Sequence, residues 1–291
     1  TDAVKRKIKE LSTLAPLHNP PNLEGIEVAE DIFPKAKQVV VFDTAFHQSI
    51  PEYAHKYAIP SKYCDDYGIR VYGFHGTSHR YVSKEANKYL GKTKSNVITI
   101  HLGNGCSITA VKDGKSIDCS LGFSPISGLI MGTRSGDIDT TIVFHLASKH
   151  NIPYEDINKM LQQESGMYGL TGYSDLRDIE EQAALGDKKC QLALDMNAYR
   201  IKRFIGSYAA ILNGLDAIVF TAGIGENSDV IRRLVCKDLD YLGIKLDLEK
   251  NNVRAKKIEE INTDDSKVKV LVIPTNEELE IALEAMELIN N

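Results

Sequence analysis

The stretch VITIHLGNGCSITAVKDGKSIDCSLG, Val97 to Gly122, decides how this chain is read. It has the pattern of a strand, a glycine-pinched turn and two further strands joined by the tight hairpin Lys112-Asp113-Gly114-Lys115. Glycine at 103 and 105 is expected to let backbone N–H groups turn inward toward a phosphate with no Cβ in the way. Asn104 between them adds a side-chain amide donor. A phosphate-binding turn at the first corner of a hairpin is therefore the working expectation.

Working outward, residues 1–36 carry two short helical patterns separated by Leu17-His18-Asn19-Pro20-Pro21. Lys37 to Phe42 (KQVVVF) reads as a buried strand ending at Asp43. Residues 44–73 hold Pro51 and Pro60 and are expected to be irregular with short helices. Thr77 has the character of an N-cap for a helix bearing Tyr81, Val82, Ala86 and Tyr89 and stopping at Gly91. After the Val97–Gly122 unit comes a loop of small residues, FSPISGLIMGTRSGD, then a helix from about Ile138 to Lys149. A glycine-rich loop follows over Ser165 to Arg177.

The longest helical pattern runs from Asp187 to Asn213. Leu194, Ala198, Ile201, Ile205, Tyr208 and Leu212 recur at four- and three-residue steps and form one buried stripe. Strands are expected at Asp216–Thr221 and Lys267–Ile273. The first leads into Ala222-Gly223-Ile224-Gly225-Glu226-Asn227 and a helix over Ser228–Cys236, and the second into a helix from Asn276. Strands leading into helices after a three-stranded hairpin unit give an α/β layered fold. Both glycine turns fall at the carboxyl ends of strands, where open α/β sheets bind ligands.

At 291 residues, 43% hydrophobic and 26% charged, the chain can hold one large domain or two modest ones. A net charge of −5 argues against nucleic-acid and anionic-membrane partners, which want basic surfaces. No apolar run approaches the ~20 residues that span a bilayer, and no signal peptide is evident. Five scattered cysteines (Cys64, Cys106, Cys119, Cys190, Cys236) without a C-x-x-C pair fit reduced thiols in a cytoplasmic protein. Cys106 and Cys119 lie on neighbouring strands, with packing the expected role. The opening Thr-Asp-Ala suggests a fragment.

Six blocks of this sequence resemble the acetate kinase family: VVVFDTAFHQSIP (39–51), YGFHGTSHRYV (72–82), ITIHLGNGCSITAV (98–111), GLIMGTRSGDID (128–139), FTAGIGENS (220–228) and VIPTNEEL (272–279). They occur in the family's order and span essentially the whole chain. The resemblance implies a ribonuclease H-like α/β domain of the actin, hexokinase and Hsp70 type, a mixed sheet flanked by helices. Residues 46–276 would be its nucleotide-binding domain, and 1–45 with 277–291 remnants of a first domain whose greater part is missing. The implied activity is phosphorylation of acetate by ATP with Mg²⁺, reversibly giving acetyl phosphate and ADP, in a homodimer. Propionate or another short-chain acid is the alternative acceptor. Two readings from other classes are a nucleotide-binding fragment inactive without its first half and an Hsp70-like ATPase.

The resemblance assigns roles that must be weighed against blander ones. Asp43, otherwise a turn or capping aspartate, becomes a group that holds or orients Mg²⁺. His75 faces the transferring phosphoryl group, whereas His79, four residues on, is structural; a zinc pair on a helix is the competing reading. Arg134 is the transition-state arginine, its planar fork suited to a phosphoryl group. His101, Leu102, Gly103, Asn104 and Gly105 take the phosphates. Asp175, Leu176, Arg177, Gly223, Ile224, Gly225, Glu226 and Asn227 take the nucleoside; a solvated Asp/Arg turn and a dinucleotide fingerprint are the alternatives. Leu17, Phe74 and Pro125 line a small carboxylate pocket, or simply pack. At the last helix, Thr275-Asn276-Glu277-Glu278 has a capping-box pattern that would occupy Glu278 and leave Glu277 to face the metal.

Overall fold

The computed structural model describes residues 1–13 and 19–290. It divides into two compact units, Thr1–Val41 with Ile281–Asn291, and Phe42–Glu280. Every proposed site residue except Leu17, which lies outside the described residues, belongs to the second unit.

That unit is built on a six-stranded sheet. Its strands are β1 (Asn96–Leu102), β2 (Cys106–Lys112), β3 (Lys115–Cys119), β4 (Ala217–Thr221), β5 (Glu259–Glu260) and β6 (Lys269–Val272), in the order β3-β2-β1-β4-β6-β5. β1 to β3 form an antiparallel meander. Asp113 and Gly114 close its second turn with φ of 51° and 76°, the pair of positive values that a two-residue hairpin turn requires. β4 and β6 run parallel to β1, and the two-residue β5 runs antiparallel to β6. His101 stands opposite Thr221, so β1 and β4 end side by side at one sheet edge.

Alternation along the strands gives the sheet two different faces. Ile98, Ile100, Leu102, Cys106, Ile108 and Ala110, with Ile218 and Phe220, pack with the helix Lys188–Leu212 in the main core. All six residues of its expected stripe are buried, each large apolar one contributing about 2 kcal/mol. Asp187 caps its N-terminus and left-handed Asn213 ends it. On the opposite face Val97, Ala217 and Val219 pack with Val82 and Ala86 of the helix Gly76–Leu90. That face turns polar toward the carboxyl ends of β1 and β4, where the antiparallel β2 begins: Thr99, His101, Ser107, Thr109 and Thr221 are all buried there. A polar, buried sheet end is the platform for the site.

Four local expectations are corrected. KQVVVF is not a strand; among the described residues it has no partner to complete a ladder, and it is not buried. The helix expected to start at Thr77 begins at Gly76 with His75 at its cap. The glycine-rich loop 165–177 contains a helix, Gly166–Thr171. Residues Ala222–Asn227 form a helix rather than an open turn, entered through Ala222 at φ 64°.

All five cysteines are free and buried, and Cys119 stands opposite Thr109, not Cys106. Among the described residues no helix is long and apolar enough to cross a membrane. In the first unit the helices Asp2–Glu10 and Asn19–Ile32 are joined by a Lys5–Glu30 ion pair at 2.6 Å. Pro20 and Pro21, expected in a loop, sit in the first turn of the second helix, where a missing N–H costs nothing.

Candidate active site

The turn between β1 and β2 does not work as the glycines suggest. Neither Gly103 nor Gly105 has a positive φ, and the Gly103 N–H is taken by the Gly105 carbonyl at 3.0 Å. What Gly105 provides is room. A Cβ there would lie 3.3 Å from the His75 ring and 3.7 Å from Arg134 Nη1. Gly132 does the same for the turn's other side, because a Cβ would collide with the Asn104 side chain. Its N–H donates to the Asn104 carbonyl at 3.1 Å, tying the arginine loop to the turn. Asn104 is exposed, while Leu102 is buried in the core and offers a ligand no side-chain contact.

His75 is placed by Asp43. The carboxylate Oδ2 accepts the His75 backbone N–H at 2.6 Å, and the Asp43 carbonyl accepts the Gly76 N–H at 2.8 Å. These two bonds hold His75 left-handed at φ 56°, a conformation unfavourable for a residue with a side chain and found where a site over-determines it. Thr77 therefore caps nothing. The His75 ring stacks on His101 at 4.3 Å, and burial holds its pKa below the usual histidine value. Burial pushes His101 down to about 3 and His79 well below its ordinary value. These imidazoles are neutral at pH 7, so they act as hydrogen-bond donors and acceptors rather than as cations. His79 has both ring nitrogens on hydroxyls, Thr99 and Ser107 at 2.7 Å each, which leaves no lone pair for zinc.

Arg134 supplies the charge. Its Nη1 donates to the Pro125 carbonyl at 3.0 Å, and among the described residues it makes no ion pair. Burial lowers its pKa, but a guanidinium remains protonated at any physiological pH. A half-buried cation without a counter-anion, beside a neutral histidine and an exposed amide, is a seat for an anion. Phe74 and Pro125 are half-buried beside this group. The Phe74 carbonyl accepts from His47 Nε2 at 2.9 Å and the Pro125 carbonyl from Arg134, so both also fix local backbone.

The capping box at the last helix is not formed. Asn276 caps the helix Glu277–Asn290 by accepting the Leu279 N–H at 3.0 Å, and the Thr275 N–H goes instead to Glu226 Oε1 at 3.0 Å. Glu278 is exposed and idle. Glu277 is half-buried, and burial with the Asp43 charge raises its carboxyl pKa. Two neighbouring carboxylates, Asp43 exposed and Glu277 half-buried, offer oxygen donors that fit a hard divalent ion.

The nucleoside candidates gather less completely. Asp175 accepts the Arg177 N–H as cap of the helix Leu176–Ala184 and pairs with the Arg177 guanidinium at 2.5 Å. The Arg177 side chain is 88% exposed, and Leu176 is buried. Glu180 of this helix bonds Ser228, which brings the helix against the segment Ala222–Asn227. In that segment the Glu226 carboxylate is taken by Thr275, Asn227 Nδ2 donates to the Gly223 carbonyl at 2.8 Å, and Ile224 packs on the core. Gly225 lies against the Phe220 backbone, 3.3 Å from where a Cβ would be. Its carbonyl is held at 2.9 Å by Arg232, fully buried and bound otherwise to Asn251 and the Val253 carbonyl. Of its two glycines Gly223 faces open space, and Asn227 is exposed at the segment's end. The segment reads as a backbone surface braced from behind.

Sequence reasoning missed Ser78, Thr99, Ser107, Glu226 as a brace, and Arg232. A signal existed for two of them, Thr99 and Ser107. Thr99 and His101 alternate along one strand, and Ser107 and Thr109 along the next, within otherwise apolar runs. Period-two polar residues in a buried strand mark a polar face.

A family model described as the Acetokinase family matches residues 1–283. The acetate kinase of Flavobacterium johnsoniae is 63% identical over 291 residues, covering all of this chain and 74% of that protein. The crystal structure of Porphyromonas gingivalis acetate kinase superposes with a TM-score of 0.95 at 45% identity, over 99% of this chain and 73% of that one. A propionate kinase from Francisella tularensis gives 0.93 at 47%, over 98% and 73%. The expected ribonuclease H-like sheet, flanked by helices, is the fold these structures share with this chain.

Proposed function

We propose a function on one premise: this chain belongs to the acetokinase family. It transfers the γ-phosphoryl group of ATP to acetate, reversibly, giving acetyl phosphate and ADP. The observation that carries the reading is the Arg134 guanidinium, without an ion pair among the described residues and packed against Gly105 and the neutral His75.

An acetate oxygen attacks phosphorus in line. The bond from phosphorus to the ADP oxygen breaks, and ADP leaves with its electron pair. A carboxylate is already a competent nucleophile, so no proton need be removed and no general base is required. The protein's work is positioning and charge neutralisation. Arg134 spans the phosphoryl oxygens with its planar fork, and His75 donates one neutral N–H to the same group. Asn104 steadies the donor phosphates through its exposed amide. Asp43 and Glu277 would hold the Mg²⁺ that ATP brings, where it would supply neutralisation of phosphate charge. Phe74 and Pro125 exclude water around the acid's methyl group. Asp175–Arg177 and the backbone of Gly223–Asn227 receive the nucleoside.

On this reading residues 46–276 are the nucleotide-binding domain, just inside the unit Phe42–Glu280. The protein acts as a cytoplasmic homodimer. The similar propionate kinase keeps a longer acid as the second reading. Incubation with ATP, Mg²⁺, hydroxylamine and either acid tests both. Acetyl hydroxamate exceeding propionyl hydroxamate is expected. The reverse order moves the substrate to propionate, and phosphate release indifferent to either acid overturns the kinase reading.

A further inference from the structure

We propose that Ser107 is a positioning residue: a one-way hydrogen-bond relay, Thr99 to His79 to Ser107 to His75, fixes the His75 proton on Nε2. The inference rests on the proposed function only for what that proton does. The relay itself follows from geometry and donor counting.

The chain of contacts is unbroken. Thr99 Oγ1 lies 2.7 Å from His79 Nδ1, His79 Nε2 lies 2.7 Å from Ser107 Oγ, and Ser107 Oγ lies 2.8 Å from His75 Nδ1. Thr99, His79 and Ser107 are all fully buried, so no water competes for these groups. Each hydroxyl has one proton to give, and a neutral imidazole has one. Both histidines donating to Ser107 would leave its own buried hydroxyl with no acceptor among the described residues, so of the three arrangements that fill every bond two remain. In one, Thr99 donates to His79, whose Nε2–H donates to Ser107, whose hydroxyl donates to His75 Nδ1. In the other every bond reverses, and the Thr99 hydroxyl must then donate elsewhere.

Among the described residues Thr99 Oγ1 has no second partner, so the reversed chain leaves a buried O–H unsatisfied, which proteins strongly avoid. The forward direction leaves only lone pairs unused. It also decides the chemistry at the open end. A His75 Nδ1 that accepts from Ser107 must carry its proton on Nε2, the nitrogen 3.3 Å from the Gly105 Cβ position and on the side of Arg134. The wrong tautomer would turn a lone pair toward an incoming phosphoryl oxygen. The two ring nitrogens are distinct in this way in any histidine, and the partner of one sets the role of the other. His101 is anchored separately, through Ser78 at 2.8 Å and Thr275 beyond it at 2.9 Å, and its ring buttresses His75 by stacking.

The test is ¹⁵N NMR of the ring nitrogens in uniformly labelled protein, with turnover measured alongside. In the unaltered protein His75 and His79 should both show the Nε2–H pattern; an Nδ1–H pattern at His75 overturns the relay without any variant. Ser107→Ala should mix the His75 tautomers and lower kcat roughly 10–100-fold, with KM for ATP within about threefold, the scale seen when the outer hydrogen-bond partner of a metal-ligating histidine is removed. Ser107→Thr should restore both readouts. Thr99→Val should also mix the tautomers, though it touches no ligand, whereas Thr99→Ser should not. An unchanged His75 pattern in both Ser107→Ala and Thr99→Val sinks the proposal. Tautomers that mix while turnover stays constant support the relay and overturn the catalytic role of His75.

Discussion

Asp43 Oδ2 accepts the His75 backbone N–H at 2.6 Å, joining a candidate metal-holding carboxylate to the backbone that aims the histidine. One side chain thus serves two purposes that substitution can separate. Asp43→Asn keeps an oxygen acceptor and removes the charge. Its melting temperature should stay within about 2 °C, since at this size ~1 kcal/mol moves the midpoint by ~2–4 °C. The Mg²⁺ concentration for half-maximal turnover should rise at least ~10-fold. Asp43→Ala loses the acceptor too and should be destabilised by about 1–2 kcal/mol. Equal Mg²⁺ dependence in Asp43→Asn and the unaltered protein would remove Asp43 from the metal site.

Gly105 offers a cleaner steric experiment. Its φ is not positive, so Gly105→Ala brings no backbone strain, only a methyl 3.3 Å from the His75 ring. The ring must give way by a few tenths of an ångström. Turnover should fall on the order of 10-fold while thermal stability stays near that of the parent, because misplacing a positioned group by an ångström costs ~10²-fold. Gly103→Ala, with no contact closer than 3.4 Å, should be nearly silent. If the two variants behave alike, packing against His75 is not the reason for glycine at 105.

Asp118 gives a pH-dependent stability test away from the site. Burial raises its pKa to about 6, and Tyr208 donates to it at 3.3 Å. An exposed aspartate titrates near ~3.9. Between those values the folded state keeps a proton that the unfolded chain has lost, so stability falls as pH rises from about 4 to about 6 and the cost is complete above that window. A shift of about two units corresponds to at most ~3 kcal/mol. Asp118→Asn retains the Tyr208 bond and should be more stable than the parent at pH 8, with the gap closing toward pH 4. Urea midpoints at the two pH values measure it; a gap that widens at low pH would contradict the assignment.

What was legible in the sequence was whatever is decided locally. The stripe from Leu194 to Leu212 and the helix's bounds near Asp187 and Asn213 follow from spacing, while the caps themselves came from the structure. The hairpin at Asp113-Gly114 follows from turn chemistry. What failed depended on partners far along the chain. Thr77 has the right chemistry for a cap, but Asp43, over thirty residues earlier, claims the helix start through His75. Thr275 and Glu278 have the spacing of a capping box, but Glu226 takes the N–H that Glu278 was to receive. The glycines at 103 and 105 suggested unusual dihedrals; the space they clear is for side chains from two other segments. KQVVVF has strand propensity, yet propensity without a neighbouring strand builds no sheet. The six-block resemblance assigned Asp43, His75, Asn104, Arg134 and Glu277 to the proposed site, while the relay behind His75 needed coordinates.

The account stands or falls on Arg134 as the cation that meets the phosphoryl group in transit. Turnover and ATP affinity should be measured together in Arg134→Ala and Arg134→Lys. Loss of ~10³-fold or more in kcat with nucleotide affinity changed less than about threefold is expected, and lysine should rescue little because it lacks the planar fork. Turnover within about tenfold of the parent, a barrier change of only ~1.4 kcal/mol, would contradict it.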